Sequence, residues 1–108
     1  MQIKKTYREI NPTVLFDEIK EFVLRQGVTL DQNKLETYSN PADSSIFMYR
    51  GTLTFTIQGQ EGLRVHIIGV DKGETKVMLD SDDALFPKAK VEALEEDLNF
   101  MLGPFEAH

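Results

Sequence analysis

The residues of this chain able to do chemistry are few: two histidines, four serines and a short run of aspartates. His66 is the histidine inside the patterned part of the sequence, and imidazole is the side chain best matched to acid–base work near neutral pH. Arg64 and Lys76 are expected near it. An isolated histidine on a strand surface is more often without a role. Ser39, Ser44, Ser45 and Ser81 all fall in turns, and none has the glycine-flanked elbow that exposes a nucleophile. Asp80, Asp82 and Asp83 resemble the start of a calcium loop, but its sixth and twelfth positions, which need glycine and glutamate, are Leu85 and Val91. Gly59, Gly62, Gly69 and Gly73 punctuate hairpins and do not precede a helix, so they build no phosphate loop. With no cysteine there is no thiol nucleophile, disulfide or thiolate metal site. No catalytic residue, metal or cofactor is therefore assigned, and the chain is read as a non-enzyme.

Composition bounds the alternatives. A chain of 108 residues with 41% hydrophobic and 28% charged residues is read as one domain, 1–108, with one core. No apolar run approaches the ~20 residues of a membrane helix, and the opening MQIKKTYREI lacks the apolar centre of a signal peptide. A cytoplasmic location and no membrane partner are expected, and the lack of cysteine suits a reducing compartment. The net charge of −6 is unevenly placed: residues 1–70 hold eight basic and eight acidic groups, and residues 71–108 hold four lysines against ten acids. Phosphate binding needs concentrated positive charge, so no nucleic-acid partner is expected. The acidic third reads as a solvated helix face and a polar loop. Its sharper alternative is a docking surface for a basic partner, or a mimic of nucleic acid if the acids of 80–97 form one surface.

The elements that must position these groups centre on residues 46–58. Phe47, Tyr49, Leu53, Phe55 and Ile57 alternate with Met48, Arg50, Thr52, Thr54, Thr56 and Gln58, the pattern of a strand with one apolar and one wet face. Gly51 interrupts the apolar row where so long a strand can bend. Upstream, residues 2–8 suit a short edge strand defended by Lys4 and Lys5. Asn11-Pro12 starts a helix over 12–26, with Leu15, Ile19, Phe22 and Val23 on its inner stripe, Val14 and Phe16 at its flank, and Gly27 as terminator. Asp17, Glu18 and Glu21 suit its positive end and Arg25 its negative end. A strand is expected over 34–39, preceded by a turn or bulge at Asp31-Gln32-Asn33, and a turn over 40–44 leads into the central strand.

Downstream, a loop at 59–62 should join the central strand to another over 63–70, and a turn at 71–74 to a third over 75–79. Residues 81–86 read as a linker. Pro87 opens a last helix with the stripe Val91, Leu94, Leu98, Met101 and Leu102, opposite Glu92, Glu95, Glu96 and Asp97. Gly103-Pro104 should end it, with the glycine as a left-handed cap, and Phe105 should pack back onto the fold.

The order β-α-β-β-β-β-α predicts a two-layer α+β fold: an antiparallel sheet of about five strands with both helices on one face. In topology this resembles one repeat of the TATA-box-binding protein, and more loosely the START-like helix-grip lipid carriers. The likeness lies in element order alone, and the chain lacks the basic face with inserting phenylalanines of the DNA-binding saddle. The helix-grip likeness implies an apolar or anionic ligand between sheet and last helix, against Tyr49, Phe55 and Met101. The open face should present Met48, Arg50, Thr52, Thr54, Thr56, Arg64, His66, Ile68, Lys76 and Met78. Apolar and adaptable methionine side chains among cations and hydroxyls suit an interaction surface. The leading expectation is an intracellular interaction module that uses this face to bind a protein partner or itself as a homodimer.

Overall fold

The computed structural model describes residues 1–39, 41–43, 45–70 and 73–106. Its elements are β1 (Gln2–Arg8), α1 (Pro12–Leu24), β2 (Thr29–Ser39), β3 (Phe47–Ile57), β4 (Gln60–Val70), β5 (Glu74–Ser81) and α2 (Lys88–Leu102), followed by a 3₁₀ turn at Gly103–Phe105. Every neighbouring pair of strands is antiparallel, in the order β1-β5-β4-β3-β2. The fold is the expected two-layer α+β arrangement, with both helices on one face of a five-stranded sheet. The topology is compatible with that of a TATA-box-binding protein repeat.

The strand order explains the layers. β1 lies at one edge and β2 at the other, so α1 must carry the chain across the sheet, and it packs on β2, β3 and β4. Asn11 starts α1: its Oδ1 accepts from the Thr13 N–H at 2.8 Å and from the Thr13 hydroxyl at 2.6 Å. No acid falls in the helix's first turn, so the side-chain cap, and not the expected acidic residues, serves its amino end. The helix ends at Leu24, earlier than expected, and Gly27 takes a left-handed φ of 82° in the turn that follows. α2 packs on α1 and lies over β1, where the Lys5 ammonium reaches Asn99 Oδ1 at 3.1 Å and Glu106 Oε1 at 3.2 Å.

The core joins Leu15, Phe16, Ile19, Phe22 and Val23 of α1 and Val91, Leu94, Leu98 and Leu102 of α2 to Ile3, Tyr7, Leu53, Phe55, Leu63, Val65, Ile67, Val77 and Leu79 of the sheet. Phe86, read from the sequence as part of a linker, is fully buried among them. Its N–H donates to the Asp82 carbonyl at 2.7 Å, so a tight turn delivers the ring into the core just before α2.

Several local expectations are corrected. β2 begins at Thr29, not 34, and the irregularity near Asp31 is a bulge within the strand that shifts the register between Leu30 and Gln32. The β3–β4 hairpin closes on only two residues, Gln58 at φ 54° and Gly59 at φ 80°. Positive φ at both central positions defines the turn type whose twist matches the flanking strands, so pairing extends to Gln60 and Glu61. Gly103 is right-handed at φ −51°, because the chain tightens into a 3₁₀ turn and does not reverse. Residues Asn40, Ser44, Asp71 and Lys72 of the two expected turns, and His108, lie outside the described residues.

Gly51 has a packing role beyond the expected bend. A Cβ there would lie 2.6 Å from Cδ2 of Phe16, so the missing side chain is the seat of the Phe16 ring on the sheet. The helix layer ends near this point. Leu53 and Phe55 are buried, as read from the alternation, but Tyr49 is half-buried and Phe47 is 44% exposed.

Candidate interaction surface

Away from the register shifts near Leu30 and near Thr56, the antiparallel register turns the even-numbered strand residues into cross-strand rows on the open face. One row runs Glu36, Arg50, Ile68, Lys76 and Thr6. The next runs Lys34, Thr52, His66, Met78 and Lys4. Flanking rows hold Tyr38, Met48 and Val70 at one end, and Gln32, Thr54, Arg64, Asp80 and Gln2 at the other. Of the expected face residues, Met48, Arg50, Thr52, Thr56, Arg64, His66, Ile68, Lys76 and Met78 are exposed or half-buried. Thr54 differs. It is 2% exposed, because the bulge folds Asp31 over it and the Thr54 hydroxyl lies 3.4 Å from Asp31 Oδ2.

At the centre stands Ile68, 47% exposed, directly between Arg50 and Lys76 on the neighbouring strands. Met78 lies between His66 and Lys4 in the same way, and its sulfur meets the Gln2 amide at 3.3 Å. Two adjoining clefts of about 370 and 520 Å³ share His66, Ile68 and Met78 in their walls. Ion pairs occupy the rim: Arg8 with Glu74 at 2.8 Å, Arg64 with Glu61 at 2.7 Å and Lys34 with Glu36 at 3.4 Å. Lys4, Arg50 and Lys76 have no ion pair among the described residues. Three cations with no ion pair among the described residues thus surround an apolar seat on a chain of net charge −6.

Glu36 belongs to a small network at the β2 edge. The Tyr38 hydroxyl donates to Glu36 Oε2 at 2.7 Å. That bond, followed by Lys34, holds the Glu36 carboxyl below its ordinary pKa, and the same bond raises that of Tyr38.

His66 faces Thr52 and Met78 across the strands, so the row gives its imidazole no directly opposed carboxylate. The aspartates of the rejected calcium loop hold local structure. Asp82 Oδ1 accepts from the Ala84 N–H at 2.9 Å, and Asp83 pairs with the N-terminal amine at 3.0 Å. Among the described residues no group of three or more His, Asp or Glu is placed to hold a metal ion, and no helix is long and apolar enough to cross a membrane.

Two sequence-derived groupings are not assembled. Phe55 is sealed in the core, whereas Met101, expected in the buried stripe of α2, is 52% exposed. Met101 lines a cleft with Val14 and Phe105 that neither Tyr49 nor Phe55 reaches. The acids of 80–97 do not all share one surface either. Asp80 lies opposite Arg64 on the open face, while α2 is on the other side of the sheet.

Sequence reasoning missed Lys4, Lys34 and Glu36 as members of the face. The alternation of Gln2, Lys4, Thr6 and Arg8 with Ile3, Lys5 and Tyr7 carries the signal for β1, but its place beside β5 comes only from the fold. Comparisons with protein families, curated proteins and solved structures found no match.

Proposed function

We propose that this chain is a non-enzymatic interaction module whose open sheet face receives a segment of a partner protein. The segment presents an apolar side chain to Ile68 and Met78, flanked by carboxylates that meet Arg50, Lys76 and Lys4. One observation carries the reading: Ile68 is held half-exposed between two cations on adjacent strands. Burying that side chain supplies non-directional affinity, and the flanking charges supply register and selection against basic partners. Lys4, Arg50 and Lys76 are free to engage carboxylates without first breaking an ion pair among the described residues. Thr52, in the row of His66, and Thr56 add hydroxyl donors and acceptors.

The test uses isotope-labelled protein titrated with a defined peptide of alternating glutamate and leucine, followed by amide chemical shifts. Saturable shifts are expected at Arg50, His66, Ile68, Lys76 and Met78, weakening as salt is raised. Ile68→Asp should abolish them while leaving the remaining spectrum folded. Shifts confined to the helix layer, or saturable binding unchanged in Ile68→Asp, would remove the open face from the reading.

A further inference from the structure

The two edges of the sheet are finished differently. β1 is seven residues long, carries Lys4 and Lys5, and is bridged on its outer side by the C-terminal segment through Tyr7 and Glu106. The Lys5–Glu106 pair at 3.2 Å fastens that cover. β2 is eleven residues long, none of them buried, and is paired only to β3 among the described residues. Alternate N–H and C=O groups of such an edge point away from the sheet and form a template for another strand.

We propose that β2 pairs antiparallel with β2 of a second copy about a two-fold axis at Leu35, giving one sheet of ten strands, five from each copy. This uses the sheet edge and stands independently of the open-face reading. The charge pattern selects the occupant. A two-fold axis normal to the sheet places residues equidistant from it opposite each other and on the same face. About Leu35, Lys34 meets Glu36 of the second copy, and Glu36 meets its Lys34. Both pairs lie on the open face, in the rows of Thr52 and Arg50.

Neighbouring registers lose this match. An axis at Lys34 opposes two lysines, and one at Glu36 opposes two glutamates. An axis at Asn33 sets Lys34 against Gln32, and one at Thr37 sets Glu36 against Tyr38. Among these five registers, only that at Leu35 sets opposite charges face to face, and like charges directly opposed on adjacent strands destabilise pairing.

The packing agrees. Leu35 is 37% exposed on the helix side, beside Gly51, and at the axis it meets its own counterpart. β2 keeps regular register with β3 from Gln32 to Ser39, so the run around Leu35 lies beyond the bulge and is free to pair. The bulge at Asp31 marks one end of the paired run.

Sedimentation of the wild type, Lys34→Glu, Glu36→Lys and an equimolar mixture of the two variants tests this, with circular dichroism confirming that each is folded. The wild type should dimerise reversibly. Each single variant replaces both attractive pairs with repulsive ones and should dimerise about tenfold or more weakly. The mixture should recover dimers. One chain then carries glutamate at both positions and the other lysine at both, so each facing pair is again of opposite charge. A monomeric wild type, a dimer indifferent to both substitutions, or a mixture that fails to recover would each overturn the proposal. A dimer lost in Ile68→Asp but kept in Lys34→Glu would overturn it in favour of self-association through the open face.

Discussion

The half of the sheet formed by β1, β5 and β4 and the half formed by β2 and the start of β3 share one pleat but differ in pattern and in neighbours, since the helix side of β2 holds Asn33, Leu35, Thr37 and Ser39. In the first, Ile3, Tyr7, Leu63, Val65, Ile67, Val77 and Leu79 are all buried beneath the helices. In the second, Leu35 and Phe47 keep 37% and 44% of their exposure, and no residue of β2 is buried. Alternation states which side of a strand is apolar. Whether that side is covered depends on the footprint of α1 and α2, which ends near Gly51. Firmly packed structure and uncovered apolar side chains are therefore set side by side in one sheet.

Three substitutions test the comparison on stability, in falling order of effect. Phe86→Ala removes a fully buried ring from the covered half and should cost about 3–5 kcal/mol in chemical denaturation. A cost as small as that of a surface substitution would show that the covered half does not depend on this anchor. Gly51→Ala acts at the boundary: its Cβ would meet the Phe16 ring at 2.6 Å, and displacing that ring should cost roughly 1–3 kcal/mol. Trimming the ring in a Gly51→Ala/Phe16→Leu double variant should recover part of that loss relative to the sum of the single changes, and strict additivity would show that the two residues do not share the site.

Tyr7→Phe sharpens the comparison from the other direction. The Tyr7 hydroxyl is buried without a hydrogen-bond partner among the described residues, so removing it should stabilise the fold by about 1 kcal/mol. Burial, followed by the charges of Glu106 and Glu95, pushes its pKa from 10.0 to about 12. The folded state thus favours the neutral phenol. Its protonation-linked contribution is fully present below pH 10.0 and is lost as pH rises toward about 12. The stability of Tyr7→Phe should fall less steeply than that of the wild type across that window. Parallel slopes for the two proteins would refute the linkage.

Much of the fold was legible because local rules and tertiary packing agree. Asn11-Pro12 reads as a helix start, and the capping bond is there. The stripes of Leu15, Ile19, Phe22 and Val23 and of Val91, Leu94, Leu98 and Leu102 face the core as their spacing requires. The candidate face was legible from β3, β4 and β5 because a strand period of two assigns each side chain to a side. What stayed hidden has a common origin. Phe86 looked like linker because a single aromatic residue in a turn has no periodicity to place it. Thr54 looked exposed because the bulge that covers it lies 23 residues earlier in the chain. Lys4 could not be assigned to the face because β1, first in sequence, pairs with the last strand.

The sequence by itself determined the elements, their order, the apolar side of both helices and of β3, β4 and β5, and the absence of cysteine, since these follow from period, capping and residue type. Only the tertiary structure decided that β1 and β2 become the two edges, that the helices stop short of Phe47, and that Arg50 and Lys76 flank Ile68. The reason is physical: cross-strand register and helix footprint are fixed by contacts between distant segments, and no local period encodes them.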